Sequence, residues 1–358
     1  MSADGRQAVM PEALAETKVL EDHALRVFRT SLSVLSGVLD DPDVQEVMVN
    51  RPDEVWIERG GSMQRLSGIR IANAHVESAV RALASGNNKG LQPVLDCRMP
   101  GYRIAAALPP VAIQGAAICI RKHARSRRTL ESYLSAGGFG PLPEDLRHDL
   151  AGQRPPDEAV AQGGQALRDL LRWAVRARKN FIIAGSTGSG KTTFLNALLA
   201  EVPPDQRVLT IEDTAELQVT VPNCVGLEAA PDQGITIRSL VRLALRFRPD
   251  RIFVGEVRGA ESYDLLDAMN TGHPGGGCSL HADSPLLALS RMESLVRMNP
   301  DTVNLPHQAL RKQIASTFDF IVFCSRRGWR RGPEQVMEVL GADEHGYHVK
   351  TLFDARTL

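Results

Sequence analysis

The chain has 358 residues, enough for two domains of ordinary size, each with its own core. Its 43% hydrophobic and 23% charged residues are ordinary for a soluble globular protein, and 42 basic against 42 acidic residues leave no global bias toward nucleic acid, though a local basic patch remains possible. Five cysteines, Cys97, Cys119, Cys224, Cys278 and Cys324, form no C-x-x-C pair, which argues against a zinc ribbon or disulfide framework and fits a reducing cytosol. The first residues lack the basic-then-apolar order of a signal peptide. The most apolar stretch, Ile104 to Ile120, is broken by Pro109-Pro110 and Gln114-Gly115 and predicts no membrane span, so work at a membrane would need recruitment.

Residues 1–12 are expected to be disordered. From Leu14 to Leu39 the apolar residues Leu20, Leu25, Phe28, Leu32 and Leu35 recur at helical spacing and stop before Pro42. Short strands follow at Val44–Asn50, Val55–Arg59 and Met63–Leu66, and Asn73 is read as the N-cap of a helix through Ala84. Further strands are predicted at Val94–Cys97, Arg103–Leu108 and Ala117–Arg121, with a helix opening near Thr129. Together these predict an α+β domain over 13–136. The Gly- and Pro-rich segment 137–164 reads as a linker, with one helical turn at Glu144–Leu150. From Gln165 to the end, helices and strands alternate, which predicts an α/β domain over 165–358 with a mostly parallel sheet and ligands at the carboxyl ends of its strands.

The apolar run Phe181–Ala184 is followed by Gly185, Ser186, Thr187, Gly188, Ser189, Gly190, Lys191, Thr192 and Thr193, and then by the helical pattern from Phe194 to Leu199. This is G-x-x-x-x-G-K-[ST] between a strand and a helix. The three glycines let successive amides surround a phosphate at the positive end of the helix. Lys191 would reach the β- and γ-phosphates, and the Thr192 hydroxyl would ligate Mg²⁺. The stretch predicts a nucleoside triphosphate site.

Two further strands end in acids. Arg251–Gly255 leads into Glu256, which is expected to activate or orient the attacking water, since Gly255 stands where an Mg²⁺-directing Asp would be sought. Arg207–Ile211 leads into Glu212, Asp213 and Glu216; Glu212 either supports Mg²⁺ through water, with Asp213 or Glu216 orienting neighbours, or these acids cap the next segment. The stretch Thr271 to Ala282 is rich in glycine and carries His273 and His281; it reads as a loop that moves with the phosphate state. His281 would sense the γ-phosphate or place the water. A metal site is the rival for it, although no neighbouring set has ligand spacing, and a core histidine is the other alternative.

In this order, the Gly185–Thr193 loop, Ile211-Glu212-Asp213, Arg246 to Gly259 and the Thr271-Gly272-His273 to His281-Ala282 stretch resemble the hexameric traffic ATPases of type II and type IV secretion, pilus assembly and conjugation, with the TrbB type of conjugative-transfer ATPase as the nearest pattern. Val47–Asn50, Val55–Glu58, Tyr102–Ala105 and Ile120–Lys122 extend the resemblance through the N-terminal half. The resemblance implies a RecA-like C-terminal domain and a smaller, PAS-like N-terminal domain, with nucleotide between them. It implies that Arg103 and Arg121 reach the phosphates, that Arg248 is a weaker candidate for a contact at the nucleotide or a subunit interface, and that ATP and Mg²⁺ are used. It also implies a homohexamer in the cytoplasm, peripheral to the inner membrane and partnered by components of a secretion or conjugation channel. The absence of C-x-x-C and the short N-terminal domain favour the conjugation or type IV branch over type II secretion or pilus assembly.

A RecA-like nucleic-acid motor is the rival class. It would need a basic path interleaved with aromatics, and the one basic run singled out, Arg121 to Arg128, contains none. A scaffold that binds ATP only as a switch is the other rival.

Overall fold

A computed structural model describes residues 12–87, 89–123, 129–135, 139–140 and 152–358. The expected disorder of residues 1–11 and the helical turn at Glu144–Leu150 lie outside the described residues; Glu12 already belongs to a helix. The chain divides into two compact units, Met1–Arg127 and Arg128–Leu358.

In the first unit the helical pattern from Leu14 to Leu39 becomes α1 (Glu12–Ser31), a 3₁₀ turn at Ser33–Leu35 and α2 (Ser36–Asp40). The tighter turn keeps Phe28, Leu32, Leu35 and Leu39 all buried on one side. Strands β1 (Val44–Arg51), β2 (Glu54–Arg59), β3 (Ser62–Leu66), β4 (Val94–Met99), β5 (Tyr102–Ala107) and β6 (Ala117–Lys122) form an antiparallel sheet in the order β3-β2-β1-β6-β5-β4. Its alternate residues Val47, Val49, Ile57, Ile104, Ile118 and Ile120 join the core with α1 and α3 (Asn73–Gly86). Asn73 is not the N-cap of α3. Ala72 holds that position, and the Asn73 Oδ1 accepts instead from the Ala116 backbone amide at 3.0 Å, tying the helix start to the turn before β6.

The second unit opens with α4 (Leu130–Ser135) and α5 (Asp157–Ala161). α5 falls inside the stretch expected as linker, yet it is fastened down. Val160 is buried in the core, and Asp157 pairs with Lys350 at 2.6 Å; just ahead of the helix, Arg154 pairs with Glu338 through two 2.7 Å hydrogen bonds. Then come α6 (Gly164–Arg176), β7 (Phe181–Gly185), α7 (Lys191–Leu199), β8 (Val208–Glu212), β9 (Cys224–Glu228), α8 (Ile237–Ala244), β10 (Arg251–Val254), α9 (Glu261–Asn270), β11 (Gly277–Leu280), α10 (Pro285–Val296), α11 (His307–Thr317), β12 (Phe320–Arg327), β13 (Arg330–Ala342) and β14 (Tyr347–Asp354).

The eight strands run in the order β14-β13-β12-β7-β11-β10-β8-β9; those from β12 to β9 are parallel, while β13 and β14 return antiparallel. Strands β7, β8, β10 and β11 are buried along their whole length, as a sheet covered on both faces requires, which is why they read as continuous apolar runs. Parallel pairing brings the ends of β7, β8, β10 and β11 to one edge, so Gly185, Glu212, Gly255 and His281 all emerge there.

Candidate active site at the carboxyl ends of the strands

The loop between β7 and α7 is built as its glycines demand. Gly185, Gly188 and Gly190 have φ of +151°, +73° and +94°, and Gly190 is the left-handed N-cap of α7. Lys191 is buried, and its Nζ donates to the carbonyls of Gly185 and Ser186, both at 3.0 Å. The third direction of the ammonium faces His281 Nδ1 at 3.4 Å. Burial pushes the Lys191 pKa below its usual value, against the pull of Glu256.

From His281 the polar chain continues. Its Nε2 lies 3.0 Å from Glu256 Oε1, off the hydrogen-bonding direction, so that this buried oxygen has no hydrogen-bond partner. Glu256 Oε2 accepts from Arg258 at 2.8 Å, and Arg258 reaches Asp213 at 3.4 Å. Burial works against charge on Glu256, but Arg258, His281 and Lys191 together outweigh it and hold the carboxyl below its usual range. A carboxylate kept ionised this firmly suits orienting a water better than taking its proton outright.

Glu212 sits differently. Its Oε1 accepts from the amides of Glu216 and Leu217 at 3.0 and 2.9 Å, and its Oε2 is buried with no partner. Burial pushes its pKa up, and the two amides only partly offset this. Gly255 is needed beside it: a Cβ there would stand 2.9 Å from Glu212 Cγ. An Asp at this position, the residue first sought there, would displace Glu212.

Thr192 joins two recesses. One, of about 490 Å³, runs along Gly188, Gly190, Thr193, Phe194 and Ala197 and is closed by Arg331, Gly332 and Pro333. The other, of about 170 Å³, is lined by Glu212, Asp213, Glu216, Glu256 and Arg258. Four carboxylates against one guanidinium, with orphaned oxygens on Glu212 and Glu256, fit a divalent cation. Among the described residues no group of three or more His, Cys, Asp or Glu could hold a metal ion unaided, so phosphate oxygens would have to complete its shell.

Sequence reasoning found the loop, Glu212, Glu256 and His281, and these meet. It missed Arg331, Gly332 and Pro333, which lie far along the chain and come in only because β13 folds back on β12, and it missed Arg258 as the partner of Glu256. Two expectations change. The glycines of the His273 loop precede β11, so they lie at the amino end of the strands, away from Lys191. They are also tethered there: Asn180 Oδ1 accepts from the amides of Gly275 and Gly276 at 2.7 and 3.1 Å, and Arg251 donates to the Gly275 carbonyl at 2.9 Å. That geometry holds the glycines away from the Lys191 loop, and of this stretch His281 lies beside Lys191. Asn180 also donates to Thr317 at 2.7 Å, so Asn180→Ala strands two amides and a carbonyl in the interior. The expected loss is about 3 kcal/mol by denaturant titration, with nucleotide affinity kept because the site is at the other end of β7.

Arg248 is the second change. It precedes β10, in a left-handed conformation with φ of +54°, and its Nη1 lies 3.5 Å from Asp250. Roughly 13 Å of strand separates that end of β10 from Glu256, so Arg248 does not meet a nucleotide in its own subunit. Arg103 and Arg121 belong to the first unit, where they face each other across β5 and β6. Arg103 donates to Asp96 at 3.0 Å and Arg121 to Glu46 at 2.7 Å.

Residues 159–326, spanning this site, match the family model described as type II/IV secretion system protein. A Mycobacterium tuberculosis protein named for conjugal transfer is 37% identical over 348 residues, covering 91% of this chain and 89% of that one. The chain belongs to the type II/IV secretion system protein family. The type IV secretion system protein PtlH of Bordetella pertussis is 33% identical, with 86% of this chain and 93% of PtlH covered. The crystal structure of the VirB11 ATPase of the Brucella suis type IV secretion system, in complex with sulphate, superposes with a TM-score of 0.76 at 32% identity over 93% of this chain and 95% of that one. Both sheets thus belong to a known two-domain α/β architecture, and this secretion ATPase hydrolyses ATP to ADP and phosphate. No described helix is long and apolar enough to cross a membrane.

Proposed function

We propose that the chain is the Mg²⁺-dependent motor of a conjugative type IV secretion system of the TrbB type. In this reading it works as a homohexamer in the cytoplasm, peripheral to the inner membrane and joined to components of the transfer channel. The observation that carries the catalytic part is the contiguous set Lys191, His281, Glu256 and Arg258 at the end of β7, β11 and β10. In the reading, amides of residues 185–193 cradle the phosphates, and Lys191 exchanges two loop carbonyls for phosphate oxygens. Thr192, with Glu212 through water, would hold Mg²⁺, whose charge offsets that building on the β- and γ-phosphate oxygens. Glu256, steadied by Arg258 and His281, orients the water toward the γ-phosphorus.

Arg103 on β5 and Arg121 on β6 would supply guanidinium contacts to the departing phosphate from the first unit. Each already holds one carboxylate, so this use exchanges one oxyanion for another.

Glu256→Gln tests the assignment. It keeps the shape and the Arg258 acceptor but removes the charge. Turnover is expected to fall about 10²–10⁴-fold, with ATP affinity changed only a few-fold. Hydrolysis by Glu256→Gln at the parent rate would remove Glu256 from the reaction and revive the switch-only scaffold.

A further inference from the structure

Strands β12 and β13 extend further than their apolar residues suggest. Arg326 pairs with Arg331 and Arg327 with Arg330, around the two-residue turn Gly328-Trp329, in which Gly328 has φ of +60°. A Gly at the first turn position suits a tight hairpin. The result is a second basic stretch, Arg326 to Arg331, and this one does contain an aromatic. Trp329 is 94% exposed at the tip, whereas Trp56 is buried and Trp173 half-buried. Arg327 is neutralised by Glu334 through hydrogen bonds of 2.9 and 2.8 Å. Arg326, Arg330 and Arg331 are exposed and have no acidic partner among the described residues.

An indole held out in water at a convex tip gains nothing from the fold, and three uncompensated guanidiniums beside it call for anions. Trp flanked by arginines is the composition that settles at the headgroup level of a bilayer, with the ring among the acyl ends and the guanidiniums on phosphates. A nucleic-acid strand fits less well, because sequence-tolerant binding of single strands uses a groove with successive aromatics, and the tip offers one ring. We infer that the β12–β13 hairpin is the surface by which this ATPase sits on a membrane of anionic lipid, with Trp329 inserted and Arg326 and Arg330 on the headgroups. This rests on the peripheral-membrane reading above and names the contact. It also brings the lipid close to the nucleotide, since Arg331, two residues beyond Trp329, lines the larger recess.

Tryptophan emission of the full chain, titrated with vesicles of pure phosphatidylglycerol or pure phosphatidylcholine and with a single-stranded DNA oligonucleotide, tests it, alongside vesicle co-sedimentation. The expected result is a blue shift with phosphatidylglycerol only, and no shift in Trp329→Phe, which keeps the parent ATPase rate. The Arg326→Gln, Arg330→Gln pair should weaken phosphatidylglycerol binding roughly thirtyfold at low salt. Co-sedimentation with unchanged emission overturns the hairpin assignment and leaves the peripheral reading standing; no co-sedimentation overturns both. A shift produced by the oligonucleotide and not by vesicles makes the hairpin a nucleic-acid surface. A shift that grows with protein concentration in buffer alone makes it a contact between copies. Either of these overturns the proposal.

Discussion

Lys191→Ala is expected to reduce ATP turnover by at least about 10²–10³-fold while leaving the thermal transition near that of the parent. The argument for the first half is geometric. Nζ meets both the carbonyls of the β7–α7 loop and His281, and Glu256 stands on the far side of that histidine. Truncation removes the charge that a γ-phosphate would meet and the group that faces His281 Nδ1. The second half follows from desolvation. Lys191 is buried, and burial already disfavours its charged form, so two hydrogen bonds to carbonyls are lost but a costly buried ammonium is lost with them. Steady-state phosphate release and a thermal melt check the two halves. Full activity in the alanine variant would detach the loop from the chemistry, and a collapsed melt would mean that Lys191 is structural.

What could be read before any coordinates was what local spacing encodes. A strand, a loop of glycines and a helix start are contiguous in the chain, so Gly185 to Thr193 announced its fold and its ligand together. Glu212, Glu256 and His281 were found because each ends or follows a buried apolar strand, and parallel pairing carries such positions to one edge. The contacts that stayed hidden are nonlocal or masked by charge. Nothing near Gly275 signals that Asn180 Oδ1, ninety-five residues earlier in the chain, accepts from its amide, so the glycines looked mobile. Asn73 has the right chemistry for a cap, but the amide it serves is forty-three residues away. The hairpin at Trp329 escaped because four arginines interrupt the alternation by which strands are recognised, although backbone pairing continues through them.

Gly185→Ala is expected to cost about 3–5 kcal/mol and to abolish nucleotide binding. Gly185 is the last residue of β7 and pairs with Cys324 of β12. A Cβ there would stand 2.2 Å from the Cys324 carbonyl oxygen and 2.6 Å from Ser189 Oγ. The first of these atoms is backbone in a central strand and cannot swing aside, so β7 and β12 must part or the loop must abandon its path. Its φ of +151° adds strain that a side chain does not relieve. Gly188 provides the contrast within the same loop. At φ of +73° it also prefers glycine, but nothing lies within 4 Å of its Cβ position. Gly188→Ala should therefore cost only about 1 kcal/mol, the ordinary penalty of a left-handed alanine. Denaturant midpoints and nucleotide titrations of the two variants separate steric exclusion from backbone preference. Equal losses in both would mean that the contact with β12 does not set the shape of the loop.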